Sequence, residues 1–192
     1  MPVFLPKGLM VSVSGLRGRV GEAMTPDLVA AVSAAFGAFV REDGHGSDVC
    51  LGRDSRTSGP MLARAAAAGL QSVGCRVVDL GMVPTPTLLM AVRHHGAAGA
   101  IGVTASHNPA EWNALKLASH EGMFLDGQLS SRFQAALREA DTPRVPWDRL
   151  GEVVSDDGAV ARHLDAILSL PLLDLERLRA RGLRVALDCV HG

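Results

Sequence analysis

A serine that follows an apolar segment is the first residue in this sequence that could do chemistry. Residues 99–103 are small or apolar, and Thr-Ala-Ser-His-Asn-Pro follows at residues 104–109. The apolar run predicts a buried strand. The Asn-Pro pair predicts a turn, because proline disfavours the helical region for the residue before it. We therefore expect Ser106 at the carboxyl end of a strand, where open α/β sheets bind ligands.

Two other interpretations compete with a catalytic Ser106. A polar residue after a strand is often only a turn residue. A serine hydrolase is disfavoured, because the adjacent Ser106 and His107 would not normally form a nucleophile–base hydrogen bond. The sequence also has no Gly-x-Ser-x-Gly motif.

Three further segments carry glycine, arginine or proline at spacings typical of turns. They are Ser-Gly-Leu-Arg-Gly at residues 14–18, Gly-Arg-Asp-Ser-Arg at residues 52–56 and Pro-Thr-Pro at residues 84–86. Each alone could be ordinary turn chemistry. Together with the serine segment and Lys116, their order resembles the α-D-phosphohexomutases. That family comprises the phosphoglucomutases, phosphomannomutases and phosphoglucosamine mutases.

The resemblance implies an enzyme that transfers a phosphoryl group. In that family the serine matching Ser106 is phosphorylated, donates its phosphate to a hexose phosphate and recovers one from the bound hexose 1,6-bisphosphate. Lys116 matches the lysine beside the phosphoryl group, and Arg17 matches an arginine that faces the same site. A phosphoserine carries about −1.5 to −2 charges at pH 7, so cationic neighbours suit it. His107 is expected either to bind phosphate or move a proton, or only to support the loop.

The resemblance also implies a Mg²⁺ ion, with hexose 1,6-bisphosphate as an activator. In the family the ion bridges the serine phosphate and three aspartates of an Asp-Gly-Asp-x-Asp-Arg loop. No such loop occurs in the 192 residues, and Asp-Asp-Gly at residues 156–158 is interpreted as a helix N-cap. We therefore expect the chain to contribute only the phosphate on Ser106 to the metal site.

Simpler interpretations remain open for the charged residues. Lys116 could be a solvated lysine on an edge strand, and Arg17 could pair with a local carboxylate such as Glu22. Arg53 and Asp54 are expected to form a structural ion pair near the site. The remaining polar candidates, expected to be turn or surface residues without metal-ligand spacing, are Asn108, His94, His95 and His120.

Some positions depart from the family pattern. Trp112 stands where tyrosine or aspartate is common, Ala114 where glycine is common, and His191 where asparagine often precedes glycine. The first two resemble one bacterial branch of phosphoglucosamine mutases or phosphomannomutases. The phosphoryl chemistry is therefore predicted, whereas the identity of the sugar stays open.

Composition excludes several classes of protein. The chain is 47% hydrophobic and 20% charged, with a formal net charge of −1. These values are ordinary for a globular protein and give no basic patch for nucleic acid.

The longest apolar stretch, residues 28–40, is shorter than the roughly 20 residues of a membrane span. Isolated Cys50, Cys75 and Cys189 suit a reducing compartment. We expect a cytoplasmic protein that binds hexose phosphates and neither nucleic acid nor membrane. The sequence does not predict its oligomeric state.

Alternating strands and helices must position these residues. The patterns predict strands at residues 49–52, 76–80, 99–104 and 115–118. Helices are predicted to begin near Thr25-Pro26, Pro60, Thr85-Pro86, Gln128 and Asp157. The alternation predicts a three-layer α/β/α domain with a mixed, roughly four-stranded sheet, plus the start of a second domain.

The expected division has three parts. The phosphoserine-bearing α/β/α domain covers residues 1–140, a connection with a linking helix covers 141–182, and the first strand of a truncated second domain covers 183–192. A terminal strand without neighbours is a poor domain end, so we expect a piece of a longer enzyme that is inactive alone. The alternatives are a non-catalytic domain that keeps the fold for binding or assembly, and a phosphatase-like metal hydrolase. The latter is disfavoured because no acidic cluster is present.

Overall fold

The mixed sheet at the centre of the molecule positions the chemical residues. The computed structural model describes residues 3–13, 15–139 and 142–189. The strands are β1 Met10–Ser12, β2 Gly15–Arg19, β3 Asp48–Arg53, β4 Arg76–Met82, β5 Gly99–Val103, β6 Trp112–Ser119 and β7 Val153–Ser155. Their order is β1-β2-β6-β5-β3-β4-β7. Strands β3, β4, β5 and β7 run parallel, whereas β1, β2 and β6 are antiparallel to their neighbours.

The predicted α/β/α class with a mixed sheet is confirmed, but the count of roughly four strands is wrong. The four predicted strands are β3, β4, β5 and β6, and the sheet has seven. The additional strands β1, β2 and β7 have three to five residues each. Such short segments, two of them at the sheet edges, are too short for a periodic hydrophobic pattern to identify.

Helices cover both faces of the sheet. They are α1 Pro26–Glu42, α2 Gly59–Gln71, α3 Thr85–His95, α4 Gly127–Glu139, α5 Ala159–Leu168 and α6 Leu175–Ala180, with a 3₁₀ turn at Trp147–Arg149. The predicted cap of α1 is confirmed, because Thr25 Oγ1 accepts the Leu28 N–H at 3.4 Å. The cap predicted at Asp157 is wrong: Gly158 precedes α5, and Asp157 accepts a hydrogen bond from Ser155 at 2.9 Å.

Two apolar cores flank the sheet. One core lies beneath α1, α2 and α4, where Phe133 of α4 meets the ring of Phe36 edge-on at 5.7 Å. The other packs α3 and the start of α5 against the opposite face and includes Cys50. Cys50 and Cys75 are buried in these cores, whereas Cys189 is exposed. Burial raises the pKa of the Cys50 thiol to about 12 and that of Cys75 to about 11.

The segment after α4 is more structured than expected. Strand β7 lies inside the expected connection and extends the sheet beside β4. Residues 183–189 are exposed and form no strand with any described residue, so the strand predicted at 183–188 is not found there. The boundary residues Ala140 and Asp141, and His191 and Gly192 at the end, lie outside the described residues. The division into domains stays a prediction.

Within the described residues, no helix combines the length and the apolar character needed to cross a lipid bilayer.

Candidate active site

Ser106 lies in an exposed loop between β5 and β6. Its φ is 55°, the only positive φ of a non-glycine residue in the described chain. A left-handed backbone costs about 1–2 kcal/mol at a residue with a Cβ atom. Two short hydrogen-bonded turns follow, from Asn108 N–H to Ala105 O and from Trp112 N–H to Pro109 O, both at 3.1 Å. Strain held in place by its surroundings is typical of functional loops.

Arg17 and Lys116 reach this loop from adjacent strands. In the register of β2 and β6, Arg17 lies opposite Ala114. Successive side chains alternate between the faces of a sheet, so Lys116 shares the face of Arg17. The intervening Leu16 and Leu115 enter the core on the other face. Diagonal neighbours of this kind have Cα atoms about 7–8 Å apart, which places two cations on one small surface.

Gly15 allows β2 to approach β6 closely. Its φ is +122°, and a Cβ atom at this position would lie 1.9 Å from the carbonyl oxygen of Leu115. A residue with a side chain would therefore push the strands apart and move Arg17 away from Lys116. Ser14, which begins the N-terminal signature, lies outside the described residues.

The four predicted site residues line one cleft. Its volume is about 200 Å³, and its lining includes Ser106, His107, Arg17 and Lys116. No carboxylate occurs among the described lining residues. A small cleft lined by arginine, lysine and a serine hydroxyl suits a phosphate group. The structure thus brings the predicted residues together, and their individual roles stay predictions.

Lys116 is neither on an edge strand nor freely solvated. Strand β6 lies between β2 and β5, so the edge-strand interpretation is wrong. The ammonium lies 5.6 Å from the centroid of the Phe124 ring, within range of a cation–π contact. The lysine is half-buried, and the aromatic ring limits where its charge can move.

Arg17 contacts the serine loop directly. Its Nη1 donates to Asn108 Oδ1 at 3.1 Å. The alternative partner, Glu22, lies 3.6 Å from Arg19 instead. Asn108 is therefore more than a turn residue, because its side chain connects the loop to β2.

The turn after β3 contains a residue whose role the sequence did not predict. Asp54 was expected to pair with Arg53, but its carboxylate pairs with Arg56 at 3.2 Å. Arg53 donates instead to the backbone carbonyl of Asp54 at 3.1 Å. Arg56 also reaches across to the serine loop. The Gly-Arg-Asp-Ser-Arg motif marked this turn, yet no sequence pattern indicated which arginine faces the loop.

The histidines outside the cleft make local contacts. The prediction of a surface residue is wrong for His95, which lies in an ion-paired cluster 2.8 Å from Asp156. Arg162 pairs with the same carboxylate. Burial alone would raise the pKa of Asp156, but hydrogen bonds from Arg162 and His95 lower it to about 2. His120 stacks on His45 with ring centroids 3.4 Å apart.

A larger depression of about 660 Å³ opens near the start of α1. Its lining combines the carboxylates Glu22 and Asp27 with Arg144 and apolar residues such as Phe4. Acidic groups would repel a phosphorylated ligand, and none of the four predicted site residues lies there. The smaller cleft is therefore the better candidate active site.

A resident metal ion would need ligands that these residues do not provide. Within the described chain, no group of three or more His, Cys, Asp or Glu side chains could hold a metal ion. Mg²⁺ prefers oxygen ligands, usually carboxylates and phosphates. The residues present therefore do not fit a complete Mg²⁺ site.

Comparison with known proteins agrees with the geometry. Residues 9–144 match the family described as phosphoglucomutase/phosphomannomutase, alpha/beta/alpha domain I. A phosphoglucosamine mutase from Clostridium botulinum is 35% identical over 189 residues, covering 96% of this chain and 41% of that protein. A phosphoglucomutase/phosphomannomutase from Thermococcus kodakarensis is 34% identical over 186 residues, covering 96% and 40%.

A solved structure is similar as well. A phosphoglucomutase/phosphomannomutase family protein from Burkholderia thailandensis superposes with a TM-score of 0.68 at 30% identity, covering 84% of this chain and 36% of that chain. This chain spans about two fifths of the length of the curated relatives it matches. The family match includes the serine loop and the strands that carry Arg17 and Lys116. The chain therefore belongs to the phosphoglucomutase/phosphomannomutase family and contains its α/β/α domain I.

Proposed function

We propose that this chain is the phosphoserine-bearing part of a cytoplasmic phosphohexomutase. The parent protein would interconvert hexose 1-phosphate and hexose 6-phosphate through phosphorylated Ser106 and a bound hexose 1,6-bisphosphate. The observation that carries the proposal is the cleft itself. It combines Ser106, held at φ 55°, with Arg17 and Lys116.

The charges of the cleft match the chemistry of the proposed intermediate. A phosphate on Ser106 would add about −1.5 to −2 charges, which Arg17 and Lys116 can offset without a competing carboxylate in the described lining. Arginine offers a planar fork of donors to phosphate oxygens, and lysine offers a compact charge. Stabilising the charge that spreads over the phosphoryl oxygens is the main requirement of this transfer.

Each half of the reaction exchanges two bonds. In the first, the Oγ–P bond of phosphorylated Ser106 breaks while a sugar hydroxyl oxygen bonds to phosphorus, and the proton of that hydroxyl passes to the departing Oγ, which becomes a hydroxyl. Lys116 and His107 line the cleft and are the candidate groups for handling that proton. After the bisphosphate turns over, Ser106 Oγ bonds to the phosphorus of the other phosphate while the sugar O–P bond breaks, and the proton lost by Oγ passes to the sugar oxygen.

A divalent cation would supply further charge neutralisation during the transfer. We propose Mg²⁺ for this role, with the Ser106 phosphate as the contribution of this chain. Its remaining ligands would come from parts of the parent protein outside these 192 residues.

The substrate is proposed only as a class. Relatives are named phosphoglucosamine mutase and phosphoglucomutase/phosphomannomutase, so glucosamine, glucose and mannose phosphates are the candidates. We propose that the cleft in this chain binds the phosphoryl group. Its described lining residues do not indicate which of these three sugars is bound. A hexose 1,6-bisphosphate would serve as activator by phosphorylating Ser106.

The test uses the full-length parent with Mg²⁺, a catalytic amount of hexose 1,6-bisphosphate and each of the three 6-phosphates in turn. We expect turnover with at least one sugar, loss of turnover in Ser106→Ala, and near-normal turnover in Ser131→Ala, an exposed serine of α4. Intact-protein mass spectrometry should show a fractional gain of about 80 Da, mapped to Ser106. A wild-type parent inactive on all three sugars, or phosphate found only at Ser55 or Ser58, would contradict the proposal.

A further inference from the structure

One arginine side chain fastens the serine loop at several points. Arg56 Nη2 donates to the carbonyl oxygens of Ser106 at 2.9 Å and Asn108 at 2.6 Å. Its Nη1 donates to those of Pro109 at 2.7 Å and Trp112 at 3.1 Å. Three carbonyls of the loop at residues 104–111 and the carbonyl of Trp112, the first residue of β6, therefore accept hydrogen bonds from a single guanidinium group.

The guanidinium is itself held in place. Its Nε donates to Asp54 Oδ2 at 3.2 Å, and Asp54 Oδ1 also accepts the backbone N–H of Arg56 at 3.1 Å. Arginine has five side-chain N–H donors. One from Nε and two from each terminal nitrogen are engaged here, so none is left over. Only 14% of the Arg56 side chain is exposed, which strengthens these charge-assisted bonds.

The hydrogen bonds of Arg56 hold the loop at the residue whose backbone is strained. Ser106 has the positive φ, and the first carbonyl that Arg56 binds belongs to Ser106 itself. The hydrogen bonds within the loop constrain it only locally. The left-handed conformation of Ser106 is costly, so without Arg56 we expect its backbone to relax to a negative φ. That change would turn the serine side chain away from Arg17 and Lys116.

We propose that Arg56 is a positioning residue for phosphoryl transfer. By binding three loop carbonyls and that of Trp112 in β6, it holds Ser106 in the conformation that presents Oγ to the cleft. Arg56 does not line that cleft, so it acts through Ser106 and not on the phosphate. The inference rests on the proposed function for its consequence in catalysis, whereas its consequence for the loop is independent of that function.

The decisive variant is Arg56→Lys, which keeps the positive charge and loses the planar guanidinium with its five N–H donors. A lysine has three donors on one nitrogen and cannot reach four dispersed carbonyls. The matched control is Arg64→Lys, because Arg64 is an exposed arginine of α2. The first readout is hydrogen–deuterium exchange of the chain. We expect faster exchange in Arg56→Lys confined to peptides covering residues 104–113, and unchanged exchange in Arg64→Lys.

The second readout is the kinetics of the full-length parent. Misplacement of a reacting group by about 1 Å can cost about 10²-fold in rate. We therefore expect kcat to fall by about that factor in Arg56→Lys, with KM changed less than about 3-fold. If Arg56 had only a structural role, the substitution would lower the folded fraction and the melting temperature without lowering kcat per folded molecule. Unchanged loop exchange, or a normal kcat beside an active wild type, overturns the proposal. An inactive wild-type parent overturns the proposed function instead, and loop exchange then decides the role of Arg56.

Discussion

Arg17 donates a hydrogen bond to the side chain of Asn108 at 3.1 Å, and this bond joins β2 to the serine loop. The contact uses one of the five donors of the guanidinium. Among the described residues the other donors have no hydrogen-bond acceptor, so they can serve a ligand in the cleft that Arg17 lines. Arg17 can therefore position the loop and bind phosphate at the same time, and these two roles predict different effects in mutants.

Arg17→Ala in the full-length parent should be much more damaging than Asn108→Ala. Loss of a hydrogen bond to a charged group costs about 1.5–3 kcal/mol of stability, and in Asn108→Ala this cost falls on the loop and not directly on the transition state. Loss of a transition-state charge stabiliser costs about 10²–10³ in kcat. Steady-state kinetics of both variants makes the comparison, with Arg19→Ala as the control because Arg19 is an exposed arginine of β2 that pairs with Glu22 and Glu111. Equal losses in Arg17→Ala and Asn108→Ala would show that Arg17 only positions the loop.

Lys116→Met should lower turnover of the parent by about 10²–10³ while barely affecting stability. The methionine keeps the length and apolar stem, and only the charge and the contact to Phe124 are lost. That cation–π contact is worth about 0.5–1 kcal/mol at a partly exposed site.

The control is Lys7→Met, because Lys7 is the other lysine of the sequence and is exposed. Kinetics and urea unfolding of both variants provide the measurement. Near-normal turnover in Lys116→Met would return this lysine to a structural role.

Asp156 should make folding depend on pH in acid. Its pKa is about 2 in the folded chain, below the ordinary value of about 3.9. A carboxyl with a lowered folded pKa stabilises the fold above the unfolded value and loses that contribution as pH falls toward the folded one. The window is therefore about pH 4 to pH 2.

The measurement is urea unfolding of wild type, Asp156→Asn and Asp157→Asn at several pH values across this window. Asp156→Asn should be less stable near neutral pH and should lose less stability on acidification than wild type. Asp157→Asn, which changes the exposed neighbouring carboxylate, should keep the wild-type pH dependence. The same pH dependence in all three proteins would show that the cluster around Asp156 contributes nothing on ionisation.

The sequence predicted the elements that are specified by a short local pattern of residue types. Thr25 before a proline predicted a helix start, and the apolar run before Ser106 predicted β5; both are confirmed. Strand β2 could not be predicted, because its five residues include two glycines and two arginines and it is defined by pairing with β6. The face that brings Arg17 beside Lys116 depends on that pairing. The loop contacts of Arg56 are also long-range, since they join residues about 50 positions apart.

The 192-residue chain should fold by itself through residue 139. Strands β1 to β6 lie in this part of the chain and are contiguous in the sheet, and α1, α2 and α4 bury one of its faces around Phe36 and Phe133. A core of this kind is sufficient for a domain of ordinary size. Circular dichroism and a cooperative urea transition would test it, and a chain that lacks a cooperative transition would contradict it.

The folded chain should nevertheless convert no hexose phosphate. Transfer from phosphorylated Ser106 needs charge neutralisation beyond Arg17 and Lys116, and the described residues provide no carboxylate cluster to hold a divalent cation. Positioning of the sugar supplies much of the barrier reduction in such transfers, and the role we propose for the cleft of about 200 Å³ is to bind only the phosphoryl group. The assay combines the purified chain, Mg²⁺, a catalytic amount of hexose 1,6-bisphosphate and each hexose 6-phosphate, with Ser106→Ala as control. Sustained turnover that depends on Ser106 would show that these residues hold both the metal and the sugar, and that the cleft described above is only part of the active site within this chain.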